Sequence, residues 1–175
     1  MRTNGQVSDP KFTLKAIVLQ SQIICGALMM GVLMTSAILL MLPAGRAEGI
    51  PPNIMLLIGC TAWTLITLLA IALPKLRSSH LALPEGSKNL LDQAIQDADQ
   101  PVDPSLHSLL RTWNTNLIVR AAMLEGAAIL CLVLWLISRE EPLLLLVGAS
   151  LGIMLATFPT FARLCRWLEI LIEER

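Results

Sequence analysis

The sequence predicts an all-α integral membrane four-helix bundle. Its two halves read as tandem transmembrane hairpins, joined by a cytoplasmic helical segment and followed by an interfacial C-terminal helix. Three observations carry this prediction. Of the 175 residues, 55% are hydrophobic and 15% charged, with no net charge, whereas a soluble domain carries about 25% charged and about 45–50% apolar residues. The apolar residues gather into four long runs, and the basic residues fall overwhelmingly on one side of those runs. This composition excludes a disordered chain and a nucleic-acid binder.

A spanning helix needs about 20 predominantly apolar residues. The first run, Ala16 to Leu42, is closed by Pro43; the second, Asn53 to Leu73, by Pro74. The third runs from Asn116 to Ile137 and meets the charged Ser138-Arg139-Glu140-Glu141. The fourth, Leu143 to Phe158, is short, and reaches spanning length only by continuing past Pro159 to residue 162. The expected spans are therefore residues 16–42, 53–73, 116–137 and 143–162. The first apolar core has 27 residues, against about 7–15 for the core of a cleaved leader, so it reads as a span.

Orientation follows from the basic residues. Arg2, Lys11 and Lys15 precede the first span. Lys75, Arg77, Lys88 and Arg111 lie between the second and third, and Arg163, Arg166 and Arg175 follow the fourth. Only Arg46 and Arg139 lie on the opposite side. The positive-inside rule then makes both termini cytoplasmic. Trp113, Trp135 and Trp167 lie where an aromatic belt anchors a protein at the interface, while Trp63 is mid-helix and reads as a packing residue.

The cytoplasmic connector, residues 75–114, holds two helix starts. Ser87 can cap a helix through Ile95, and Asp103 followed by Pro104 opens a helix that continues unbroken into the third span. The tail, residues 161–175, is amphipathic. Leu164, Trp167, Leu168 and Leu171 form a stripe at helical spacing, which reads as a helix lying on the membrane surface. Asp92, Asp97, Asp99 and Asp103 fit no calcium loop. Cys25, Cys60, Cys131 and Cys165 form no CxxC pair and have no histidine at ligand spacing, so no metal and no cofactor is expected.

Sliding the chain by 100 positions lays Ile17-Val18-Leu19-Gln20 over Leu117-Ile118-Val119-Arg120. The same shift lays Cys25-Gly26-Ala27 over Glu125-Gly126-Ala127. A slide of 89 lays Ile54–Gly59 over Leu143–Gly148. A duplicated hairpin would put Gln20 level with Arg120 and Cys25 level with Glu125. The identities are few, however, and apolar helices look alike. Small residues four apart permit close helix approach. Such pairs are Ala27 and Gly31, Ala122 and Gly126, and Gly148 and Gly152. They are expected to pack within the bundle, the last pair also to join two copies of the chain through the fourth helix. The lipid bilayer is the first partner; a second membrane protein is another.

Two ionisable residues lie within the third span. Arg120 is about 6 Å in and can extend to the surface, but Glu125 is about 13 Å in and cannot. Five residues apart on one helix, they make a poor pair. Glu125 must be protonated, hydrogen-bonded to another helix, or in contact with water. Gln20, Ser21 and Gln22 of the first span are its expected partners. The carboxyl is a candidate proton or cation site, with Gln20, Gln22 and Arg120 around it, or a structural group joining helices.

The stretch Ile118-Val119-Arg120-Ala121-Ala122-Met123-Leu124-Glu125-Gly126-Ala127-Ala128-Ile129-Leu130 resembles the carboxylate helix of rotary ATPase proteolipid (c) subunits, with Glu125 matching their ion-binding carboxylate. The match covers one helix. The chain lacks the glycine-repeated partner helix of those subunits and has a far longer cytoplasmic loop. The whole layout is more similar to small four-helix bacterial membrane proteins with an Ala/Leu-Glu-Gly-Ala stretch on the third helix and Pro-Thr after the fourth, here Pro159-Thr160. That resemblance implies a bacterial cytoplasmic (inner) membrane location and no particular activity. The sequence thus leaves two readings: a non-catalytic accessory, scaffold or assembly subunit, or a small proton- or cation-coupled carrier using Glu125.

Overall fold

A computed structural model describes residues 13–42, 51–78 and 102–173. These residues form five helices: α1 Leu14–Met41, α2 Pro52–Ser78, α3 Pro104–Ser138, α4 Glu141–Ala156 and α5 Phe161–Glu173. Three of them, α1, α2 and α3, are long and apolar enough to cross a membrane; α4 with α5, bent by 74° at their break, makes a fourth if the pair is one span. The expected Ser87–Ile95 helix and the acidic residues Asp92, Asp97 and Asp99 lie outside the described residues.

Local chemistry sets the helix ends. Thr13 accepts the Ala16 N–H on its side-chain oxygen at 3.2 Å and opens α1. Leu42, just before Pro43, is extended and closes it. Pro52 occupies the first position of α2, where no N–H is needed. Contrary to the expected stop at Leu73, α2 runs through Pro74 to Ser78. A proline inside a helix removes one backbone bond and crowds the carbonyl four residues earlier, and α2 nevertheless continues four residues past Pro74. Helix α3 begins at Pro104, as the Asp103-Pro104 start predicts. Its 35 residues span about 52 Å, longer than the about 30 Å that crossing the hydrocarbon requires.

The α3–α4 turn depends on Arg139, whose backbone is left-handed with φ 58°. Its N–H bonds the Trp135 carbonyl at 2.7 Å, a tight helix C-cap. Pro142 then sits in the first turn of α4. The fourth span expected over 143–162 is not one helix. Helix α4 ends at Ala156, because Pro159 has no N–H to continue the ladder and restricts the backbone of Phe158.

Helix α3 is the hub: α1, α2 and α4 each pack chiefly on it rather than closing a ring with one another. Helices α1 and α3 run parallel, for Ser21 meets Asn114 and, further along, Gly31 meets Glu125. Helices α2 and α4 are parallel too, since Gly59 meets Leu143 and Trp63 meets Ser150. The α1–α3 register corrects the expected level of Cys25 with Glu125. Gly31 faces Glu125 instead, six positions further along and thus about 9 Å away along the axis.

The core has three layers. At one end Leu14, Ile17 and Val18 of α1, Leu106, Leu110 and Trp113 of α3 and Leu164 and Leu168 of α5 pack together. Cys25, Ala121, Leu124 and Met154 fill the middle, and Val32, Ala128, Cys131, Leu132 and Val147 the far end. The outside is equally apolar: Leu57, Leu65 and Leu145 are 64%, 68% and 75% exposed. Water penalises such a surface and a bilayer does not, so the chain reads as a membrane protein.

Candidate functional site around Glu125

The seam between α1 and α3 holds Ser21, Asn114 and Glu125. At its start the Ser21 hydroxyl, fully buried, lies 2.8 Å from the Ile17 carbonyl and 2.7 Å from Asn114 Oδ1. One hydroxyl carries one proton, so Ser21 donates to one of them at a time. Turning the Asn114 amide over lets Asn114 donate to Ser21 instead. This bond pins the register of α1 on α3.

Further along the seam, the Glu125 side chain crosses from α3 to α1. Its Oε1 lies 2.8 Å from where a Cβ on Gly31 would stand. Gly31 has no side chain, and that absence lets the carboxyl rest against the α1 backbone. Glu125 is half-buried. Among the described residues it has no hydrogen-bond partner and no ion pair. Beside it on α3, Ala122 and Gly126 are exposed, and Gly126 has open space where a side chain would be.

The expected partners of Glu125 lie elsewhere. Gln22 donates from Nε2 to the Pro159 carbonyl at 3.0 Å, fastening the α4–α5 break to α1. Gln20 is exposed and lines a polar groove below the seam. The α1 register holds both about nine or more residues, some 13 Å, from the level of Glu125. Arg120 is half-buried, and its Nε is enclosed without a hydrogen bond. It does not pair with Glu125.

The small-residue pairs are also redistributed. Half-buried Gly31 is used, to admit Glu125. Ala27, Ala122, Gly126, Gly148 and Gly152 do not bring helices together among the described residues: all five are exposed, and additions at Gly126, Gly148 and Gly152 would meet nothing. The close approach inside the chain is made by Gly59 of α2, where a Cβ would strike Leu143 Cδ2 and come within 3.3 Å of Leu134 Cδ1. Gly59 has no small residue four positions away, so the pair rule passes over it.

The tryptophans divide likewise. Trp113 is enclosed between α1, α3 and α5, a packing residue rather than a surface anchor, because α5 folds over it. Trp135 is buried beneath the Arg139 guanidinium, 4.3 Å from its ring centre. Trp167 is half-buried against the same end cluster as Trp113. Trp63 donates from Nε1 to Ser150 Oγ at 2.8 Å.

No family model, curated protein or solved structure matches this chain. Its chemistry is therefore read from its own residues. Among the described residues no group of three or more His, Cys, Asp and Glu comes together. The distinctive group is a single carboxyl at mid-span, unpartnered and open on one side. Such a group can accept a proton or cation, or hydrogen-bond to a further helix.

Proposed function

We propose that this is a non-catalytic multi-pass protein of a bacterial inner membrane, a four-helix bundle with both termini cytoplasmic, acting as an accessory, scaffold or assembly subunit. One observation carries the reading: Glu125 sits at an open seam with no partner among the described residues, flanked by Ala122 and Gly126. An unpaired polar group in the hydrocarbon layer favours association, since a neighbouring helix can supply its hydrogen bond and small residues let that helix come close. The neighbour is a second copy or another membrane protein.

The alternative, a proton- or cation-coupled carrier, is favoured by the same carboxyl being only half-buried. Glu125→Gln separates the two, since glutamine hydrogen-bonds but does not titrate. Assembly measured by native electrophoresis of membrane extracts should survive Glu125→Gln and be lost in Glu125→Leu. Proton-linked flux in reconstituted vesicles that disappears in Glu125→Gln would establish the carrier instead.

A further inference from the structure

Below the Glu125 seam, where the apolar runs of α1 and α3 begin, the two helices part around a groove of about 810 Å³. That volume falls in the range of small-ligand sites. Its polar lining includes Gln20 from α1 and His107, Ser108, Arg111 and Asn114 from α3, with no carboxylate among the described residues; the His107 Nε2 lies 3.1 Å from the Val102 carbonyl. Thr112 and Thr115 also line it, but their hydroxyls donate back to the Ser108 and Arg111 carbonyls at 2.9 and 2.8 Å. Arg111 is exposed, and neither its side chain nor that of Gln20 has a hydrogen-bond partner among the described residues. The groove therefore offers a guanidinium, an amide and a serine hydroxyl to one occupant. Those are the donors that a phosphate takes, the guanidinium by a forked pair of bonds.

Position supports the same chemistry. Arg111 and Gln20 flank the boundary at which the chain enters the apolar layer, the depth of lipid headgroups. Beside Gln20 on α1, Leu19 and Ile23 are 57% and 63% exposed, an apolar track for an acyl chain. Basic pockets between spans at this level hold acidic lipid headgroups.

We propose that this groove binds a phosphate ester, with Arg111 as its principal contact and Gln20 and Ser108 as secondary donors. The ester is either the headgroup of an anionic phospholipid or a soluble phosphate monoester. The full chain in a phosphate-free maltoside detergent is titrated separately with phosphatidylglycerol, glycerol 1-phosphate and diacylglycerol, and binding is read by native mass spectrometry and by the unfolding midpoint. The expected result is saturable binding of phosphatidylglycerol or glycerol 1-phosphate, weakened at least tenfold by Arg111→Gln and unchanged by Arg166→Gln, an exposed arginine on α5 outside the groove. Phosphatidylglycerol alone binding assigns a lipid site; glycerol 1-phosphate binding as tightly assigns a soluble ester. Ser108→Asp, near the start of α3 where an acid suits the helix, puts a negative charge in the groove and should weaken binding as much, so the result does not rest on one variant. Equal binding of diacylglycerol, equal loss in Arg166→Gln, or no binding of either phosphate compound overturns the proposal.

Discussion

Replacing Glu125 by methionine should stabilise the isolated protein. Methionine keeps the length and unbranched shape of the side chain and removes two oxygens that bond to nothing in the described structure. An ionised side chain at the centre of a span costs about 2.5–3.5 kcal/mol on insertion scales. Glu125 is half-buried and can protonate, which leaves a gain of about 1–2 kcal/mol for Glu125→Met. Unfolding in a denaturing detergent titration measures it, provided the slope of the transition is unchanged. The same variant should lose assembly, so stability and association move in opposite directions. A loss of stability beyond about 0.6 kcal/mol would refute the reasoning, because it would mean that the carboxyl holds its own helices together. Gly31→Ala is the companion test. A Cβ there comes 2.8 Å from Glu125 Oε1, and displacing that flexible carboxyl costs about 0.5–1.5 kcal/mol. Alanine returns about 1 kcal/mol of helix propensity, so the fold should hold while assembly weakens.

Other contacts make further predictions. Trp63→Phe and Ser150→Ala should show a coupling of about 0.6 kcal/mol, and no more than about 1.7, in a double-mutant cycle; zero coupling would mean that the 2.8 Å bond does not dock α2 on α4. Arg139→Ala removes the stacking on Trp135 and the bond to the Leu42 carbonyl at 3.3 Å, lowering the unfolding free energy by about 1 kcal/mol. Arg139→Gly loses the same contacts but relieves a left-handed backbone by about 1 kcal/mol and should unfold close to the parent. In a chain with its four cysteines replaced, a single cysteine at Gly148 or Gly152 should crosslink two copies in membranes, and one at Leu65 should not; no crosslink at either glycine would exclude a homodimer through α4.

The α-helical class, the three long spans and the start of α3 at Pro104 are legible in the sequence because each depends on one stretch of chain. Run length, a closing proline and the Asp-Pro start need no knowledge of neighbours. The break after α4 is marked too, by Pro159, but the run before it is too short to span alone, and length by itself points across the break. The tail stripe was equally legible. What the stripe would cover was not: Leu164 and Leu168 are fully buried against α1 and α3, where a surface helix would have given them to lipid. An amphipathic pattern shows that one face must be covered and is silent about whether protein or membrane covers it.

The candidate site was legible as a residue and illegible as a place, and the reason is physical. In a water-soluble helix the buried face announces itself by hydrophobic period. Helix α3 is apolar on every side, so nothing in its pattern separates the inward Leu124, Ala128 and Leu132 from the outward Val119 and Val133. Register must then come from the few positions where packing is specific: a buried hydroxyl opposite an amide at Ser21 and Asn114, and a missing side chain opposite a long one at Gly31 and Glu125. Those are relations between two helices, and a single sequence displays only their halves. The shift of 100 positions aligned α1 with α3 by apolar likeness and put Cys25 beside Glu125; the polar and steric pairs put Gly31 there. The difference decides the chemistry. A thiol beside the carboxyl would have offered a weak partner, whereas a glycine offers space alone, so Glu125 has no hydrogen-bond partner among the described residues.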